Sequence, residues 1–391
     1  MLKIIHKFIT LINILISWII YSLSFLIPKN KNIWVFTGWH KNNKREVFAD
    51  NSKYLFLYCQ QNRKNKKIVW IGQDKEISNI LKTNSLTSYP INSLLGIYYS
   101  LRAEYTFIDA FMNLKNWRYS GNSKIIQLWH GKGMKKTGFD SPYSLQRYNN
   151  FLFPNLFIKI FKTIASSKTT AKLMSSTFNV SEENVLITGL PRNDAIFKEI
   201  TKAEIDTNQE LRESIQKISN KKILYAPTFR PDGNNPLKQL DLKKLNDSLV
   251  DKKYHLFIQL HPKFAAQEYA IKEKFDNIFF SKPGYDIYPL LKNFDALITD
   301  YSSIYIDFLL LNHPIIFFTY DIEKYRKEMG LHDSFNTATP GAHPKNFEEL
   351  LRSISELEKD EFRNRRESIC NELFTFRDGN SSKRILEDLG I

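Results

Sequence analysis

Cysteine is nearly absent from this 391-residue chain: only Cys59 and Cys370 occur, and neither belongs to a C-x-x-C pair. That excludes a disulfide framework and a cysteine zinc site, and it fits a reducing compartment. No G-x-x-x-x-G-K-[ST] and no G-x-G-x-x-G occurs, so P-loop chemistry and the dinucleotide fingerprint have no support. H-E-x-x-H is missing, and no Asp-x-Asp pair follows a strand-like run. A divalent metal is therefore not demanded, and no cofactor is expected. There is no fixed-period repeat and no low-complexity tract.

Positive charge, in contrast, is plentiful. The net charge is +15, which favours an anionic partner such as nucleic acid, anionic lipid or a phosphorylated substrate. The lysines are dispersed and no nucleic-acid motif accompanies them, so nucleic acid is not expected. With 42% hydrophobic and 25% charged residues, the chain can bury a core and is not disordered by composition.

From Phe8 to Ile27 no charge occurs for 20 residues, a length that can cross a bilayer. Lys3, His6, Thr10, Asn13, Ser17, Tyr21 and Ser24 nevertheless recur at steps of 3, 4, 3, 4, 4 and 3, one polar stripe on a helix. Such a helix either lies in the headgroup region, apolar face down, or spans and turns its stripe to a partner. Lys29, Lys31, Lys41, Lys44 and Arg45 follow, which favours a cytoplasmic location for the rest. The competing reading is a buried core helix.

After Pro28 short apolar runs alternate with helix-compatible stretches. The first series predicts strands at Ile33–Thr37, Lys67–Gly72, Tyr105–Ile108, Lys124–Trp129, Thr163–Ser166 and Asn184–Thr188. It also predicts a helix at Asn51–Asn62, capped by Asp50 or Asn51. The second predicts strands at Lys222–Ala226, His255–Leu260, Asn277–Ser281, Ala296–Thr299 and Pro314–Thr319. Its helices are expected at Asp241–Lys252 and Phe264–Lys274, and Pro344–Leu389 reads as helical. Two βα series imply an α/β fold with two parallel-sheet, Rossmann-like domains facing across a cleft. The expected divisions are a membrane-associated helix over 1–28, a domain over 29–205 and a second over 206–391.

Ligands of such sheets bind beyond the strand carboxyl ends, and every chemical candidate falls there. The run Lys124–Trp129 delivers His130 into a loop with Gly131, Gly133 and the cations Lys132, Lys135 and Lys136. This is either a proton acceptor beside an anionic substrate or a solvated lysine loop. In GLPRND (Gly189–Asp194), Arg192 could bind phosphate, but the segment favours a structural turn into a helix. YAPTFR (Tyr225–Arg230) offers Thr228 and a guanidinium fork where a donor ligand would lie, or else an ordinary loop. His261 ends another strand. LITDYSS (Leu297–Ser303) places Thr299, Asp300, Ser302 and Ser303 in a strand–turn–helix layout suited to a diphosphate, with Asp300 orienting a neighbour or a ribose hydroxyl.

In this order, W-H-G-x-x-x-K-x-x-G (Trp129 to Gly138), GLPRND, YAPTFR, His261-Pro262, LITDYSS and PIIFFTYD (Pro314 to Asp321) resemble the CDP-glycerol glycerophosphotransferases of teichoic acid and capsule synthesis. The resemblance implies a GT-B-like fold at the cytoplasmic membrane face. It also implies transfer of a polyol phosphate from CDP-glycerol or another CDP-polyol to a lipid-linked glycan acceptor. His130 matches the family's proposed base, His261 a second functional histidine, and Ser302 and Ser303 its donor turn. The chain departs from the family in the loop Lys132 to Lys135. A nucleotide-sugar glycosyltransferase on the same fold and a non-catalytic basic membrane scaffold are the alternatives.

Overall fold

The strand-like runs pair into two parallel sheets, seen in a computed structural model that describes residues 2–41, 45–73, 75–110, 117–131, 137–140, 158–230, 232–260, 273–282, 284–329, 331 and 335–391. The first half contributes β1 (Asn30–Thr37), a hairpin of β2 (Trp39–Lys41) and β3 (Arg45–Val47), then β4 (Lys67–Gly72), β5 (Ser88–Pro90), β6 (Ala103–Ile108), β7 (Lys124–Gln127), β8 (Ile160–Ala165) and β9 (Val185–Ile187). Seven of these form one sheet in the order β5-β4-β1-β6-β7-β8-β9, and every recorded pairing in it is parallel. The second half contributes β10 (Lys221–Tyr225), β11 (Tyr254–Ile258), β12 (Ile278–Phe280), β13 (Ala296–Thr299) and β14 (Ile315–Phe317). These order as β12-β11-β10-β13-β14, again parallel.

Both sheets are covered on both faces, which is why their strands read as continuous apolar runs. Trp34, Val35, Phe36, Val69, Trp70 and Phe107 are fully buried. Phe36 stacks on Phe107 at 4.5 Å. The two expected strands Lys67–Gly72 and Ala296–Thr299 have the observed bounds, and the others agree within a few residues. β5 and the hairpin carry no long apolar run, so the sequence pattern does not announce them.

Helix α1 spans Leu2–Ser24, α2 Asp50–Asn62, α3 Lys75–Thr83 and α4 Leu94–Arg102. The expected cap of α2 is corrected. The capping position is Ala49, without a side-chain bond, and Asp50 sits in the left-handed region at φ +66°. Asn51 is turned to long-range partners instead. Asp241 does cap its helix, accepting from the Lys244 amide at 3.0 Å. Most of the helix expected at 264–274 lies outside the described residues.

Among the described residues, no helix is long and apolar enough to cross a membrane. Helix α1 packs its last turns against the first half. At its carboxyl end the polar stripe faces the protein body: the Ser24 hydroxyl accepts from the Gly121 amide at 2.9 Å, and Tyr21 packs on Trp117. Ile12, Leu15, Ile16, Ile19 and Leu23 point outward.

The halves are joined through buried polar contacts. Lys53 of α2 is fully buried and donates to the carbonyls of Ala203 and Ile205 and to Asp286 of the second half, all at 2.7–2.8 Å. Tyr54 donates to the same carboxylate at 2.7 Å. The last helix, Ser381–Asp388, is expected with the second half but packs on the first. Ile385 and Leu386 join the core of Leu55 and Leu57. Asp194 accepts from the amides of Ser381 and Ser382, both at 2.9 Å, and so fixes its start.

Candidate active site

β7 ends at Gln127, and the next three residues turn sharply across the carboxyl end of the first sheet. Trp129 takes φ +52°, uncommon for a bulky side chain, and Gly131 takes φ +84°. Such strain persists only where surrounding contacts over-determine it. Here they do. The Asn51 side-chain Nδ2 donates to the carbonyls of Leu128 at 3.1 Å and Trp129 at 2.7 Å. The Trp129 amide donates to the Gln127 side chain at 3.0 Å.

The half-buried His130 ring lies 3.8 Å from the Trp129 ring centroid. Its Nδ1 stands 3.3 Å from the Asp109 carbonyl oxygen. A carbonyl can only accept, so Nδ1 carries the hydrogen and Nε2 is the nitrogen able to take a proton. Burial is the main cause that lowers the His130 pKa, partly opposed by Asp50. The ring is therefore neutral at physiological pH, the state required of a base. Asp109 is itself buried, with its Oδ1 accepting from the Ser52 amide at 2.9 Å. Burial, then the nearby Asp50, raises its pKa well above the carboxylate range.

Arg192 holds this loop to the other half. Its Nη1 donates to the His130 carbonyl at 2.6 Å and to Asp50 at 2.8 Å, and its Nη2 donates to Asp307 at 2.6 Å. The guanidinium stacks 4.8 Å from the Tyr288 ring centroid, and the Tyr288 hydroxyl donates to the same Asp307 oxygen at 2.6 Å. Burial opposes the charge on Arg192, but Asp307, Tyr288 and Asp50 more than offset it and its pKa is raised. Gly131 is required beside it, since a Cβ there would lie 2.1 Å from Nη2. A crevice opens at this junction, lined by Trp129, Gly131, Ser166, Arg192, Ile306 and Asp307. The His130 loop thus borders the space between the halves rather than the interior of either.

Across the crevice, β13 runs into a turn and then the helix Ile304–Phe308, five residues continued by a 3₁₀ turn at Leu309–Leu311. Ser302 and Ser303 are half-buried at its start, and Ser303 makes no side-chain cap bond. The expected strand, turn and helix are present, though the helix is short.

Other expected donor contacts are turned inward. Arg230 donates to Asp321 through Nε at 2.6 Å and to Asp300 through Nη1 at 2.7 Å, and is nearly fully buried among the rings of Tyr301, Tyr320 and Tyr325. Asp300 also accepts from the Thr228 hydroxyl at 2.6 Å, so it orients neighbours. The Thr299 hydroxyl donates to the Ala226 carbonyl at 2.8 Å. Arg230, Thr228, Thr299 and Asp300 therefore shape the loop under the turn instead of offering free groups to a phosphate. Arg192 likewise makes loop contacts but has its fork occupied by carboxylates. His261, Lys132 and Lys135 lie outside the described residues; β11 ends at Ile258, three positions before His261. Reasoning from sequence missed Asp50, Asn51, Asp109, Tyr288 and Asp307. Asp109 had one readable signal, a carboxylate directly after an apolar strand.

Two facing parallel α/β halves, with the last helix returning to the first and a crevice between the strand carboxyl ends, define a GT-B-like protein. The chain belongs to the CDP-Glycerol:Poly(glycerophosphate) glycerophosphotransferase family, whose model matches residues 19–389. It is 28% identical to a teichoic acid poly(ribitol-phosphate) polymerase of Bacillus spizizenii over 98% of this chain, and spans only 60% of that relative's length. It is 27% identical to a teichoic acid glycerol-phosphate transferase of Staphylococcus aureus, over 96% of this chain and 97% of that one. Its fold is similar to that of the wall teichoic acid polymerase TagF, with a TM-score of 0.71, 22% identity, and coverage of 99% and 97% of the two chains.

Proposed function

We propose that the chain transfers glycerol phosphate, or a related polyol phosphate, from a CDP-activated donor to a hydroxyl of a lipid-linked acceptor, releasing CMP, in teichoic acid or capsule synthesis. Family membership supports the reaction class, and relatives named for glycerol-phosphate and for ribitol-phosphate leave the polyol as the variable. The observation that carries the reading is the Arg192 link. One guanidinium binds both the His130 carbonyl and Asp307, four residues past the Ser302–Ser303 turn. This link supports a reading in which the base and the donor turn work across one crevice.

In this reading the donor diphosphate lies against Ser302 and Ser303, with His261 beside it. Arg230 and Asp300 position that turn from beneath. Nε2 of His130 takes the proton from the acceptor hydroxyl as its oxygen attacks the phosphorus bearing the polyol. The bond from that phosphorus to the bridging oxygen breaks, and the electron pair leaves with CMP. Positioning and electrostatic stabilisation supply the acceleration. The outward apolar face of α1 rests on the cytoplasmic face of the membrane, where the acceptor is held.

His130→Ala should lower turnover by about 10²–10⁴-fold with donor affinity nearly unchanged. An unaltered rate removes the residue from the mechanism. Purified protein supplied in turn with CDP-glycerol, CDP-ribitol and UDP-sugars, with nucleotide release and product mass as readouts, identifies the donor. Release from a UDP-sugar alone would replace this reading with glycosyl transfer.

A further inference from the structure

Helix α4 is built the wrong way round for a protein surface facing water. Its inward side carries the small residues Gly96 and Ser100, and its outward side carries Leu94, Leu95 and Tyr98. Leu94 is 88% exposed, more than any other large apolar side chain described. An ordinary surface helix shows the reverse pattern. The tip is also firmly held. The Ser93 hydroxyl accepts from the Gly96 amide at 3.0 Å and donates to the Pro90 carbonyl at 2.7 Å. A Cβ on Gly96 would lie 2.2 Å from that carbonyl oxygen, so the helix sits as close to the sheet edge as a backbone can. Two exposed leucines on a rigid, capped helix start form a built surface.

Topology fixes where this surface points. α4 leaves the carboxyl end of β5 and returns directly into β6, so its first residues stand on the carboxyl rim of the first sheet. His130 leaves the same rim after β7. Four strand spacings separate β5 from β7 in the order of the sheet, a lateral distance of about 19 Å. Along α4 the chemistry is graded. Leu94 and Leu95 form the tip, Tyr98 and Tyr99 follow, and Arg102 ends the helix. Lys67 lies over the Tyr99 ring at 5.8 Å, and Lys82 over Tyr89, which stacks on Tyr99. Apolar, then aromatic, then basic is the order met on leaving a bilayer's hydrocarbon for its headgroups.

We propose that α4 is a second lipid-contacting element, whose Leu94–Leu95 tip enters the interface of an anionic bilayer and turns the His130 rim towards it. The inference rests on the reading that the acceptor is lipid-linked, and it names the surface that presents the base to it. α1 and α4 both rest against the turn Trp117–Tyr119, and Lys29, just past α1, donates to the Leu101 carbonyl near the end of α4 at 2.7 Å. The two outward apolar faces therefore belong to one side of the first half.

The test uses the full chain carrying Leu94→Cys labelled with an environment-sensitive fluorophore. Cys59 and Cys370 are buried, so labelling is selective. Vesicles containing phosphatidylglycerol should shift the emission to the blue, neutral phosphatidylcholine vesicles less so, and a label at exposed Asn220 in the second half should not respond. In unlabelled protein, Leu94→Asp with Leu95→Asp should weaken vesicle binding by at least about tenfold. Unshifted emission at position 94 while the protein still sediments with vesicles would overturn the proposal. So would a shift that appears without lipid and grows with protein concentration, which would mark a second copy as the occupant. Nucleotide release by the unlabelled chain is measured alongside. Its absence would remove the catalytic reading and leave the fluorescence result on docking intact.

Discussion

Arg192 and Arg230 invite comparison. Each stands five residues beyond a strand end, at Ile187 and Tyr225, each is almost completely buried, and each is held by two carboxylates. Their partners differ in kind. Arg230 binds Asp300 and Asp321, both of its own half. Arg192 binds Asp50 of the first half, Asp307 of the second, and the carbonyl of the residue assigned as base. The same device thus stabilises a loop in one place and registers two halves in the other. A buried ion pair is weak evidence of net stability, and its use here is read from what it connects.

The largest expected effect comes from removing each guanidinium. Arg192→Ala and Arg230→Ala should each cost about 3–5 kcal/mol, because buried carboxylates are left unpaired. Only Arg192→Ala should also split the calorimetric unfolding into two transitions, as its link between halves is lost. One shared transition in both variants would erase the distinction. Glycine substitutions come next. Gly131→Ala drives a Cβ into Arg192, and should lower turnover by about 10²-fold through misplacement of the base. Gly233→Ala shares a positive φ, but has nothing within 4 Å of the added carbon. It should cost about 1–2 kcal/mol from backbone strain and leave turnover intact. Equal kinetic effects would argue against the Arg192 latch.

A smaller effect concerns pH. Burial holds the His130 pKa below its ordinary value, while in the unfolded chain it returns to about 6.5. Between those two values the unfolded chain binds the proton and the native one does not. This contribution to stability is therefore present above about 6.5 and is lost as pH falls through the folded value. The base stays competent through the same window, so the acid limb of kcat/KM should have its midpoint below about 6.5. A midpoint at or above that value contradicts the assignment. The smallest change is expected for Ser303→Ala. Stability should move by no more than about 0.5 kcal/mol, since the side chain makes no cap bond, while the donor KM rises. An unchanged KM would take Ser303 out of the donor turn.

Much of the layout is legible in the sequence because it depends on local pattern. Buried parallel strands such as Lys67–Gly72 announce themselves as apolar runs, and the motifs that follow them fall at carboxyl ends by construction. Partnership is less legible. Nothing near Arg230 announces that its carboxylates come from 70 and 91 residues away, so the sequence suggests a free fork where a closed one exists. The same holds for Asp50 and Asn51. A position before an apolar helix looks like a cap, and only tertiary contacts with residues near 129 and 192 reveal another use. The stripe on α1 is plain from its spacing, but which way the stripe faces is decided by Trp117, far off in sequence.

The return of the final helix to the first half has a consequence for biosynthesis. Ile385 and Leu386, fully buried beside α2, leave the ribosome later than all five strands of the second half, yet they complete the core of the first. A nascent first half must wait with an open seam on its surface until the strands of the second half have been made. Termination shortly before Ser381 would therefore injure a portion synthesised well before it, and chaperone capture during elongation should concentrate on that seam.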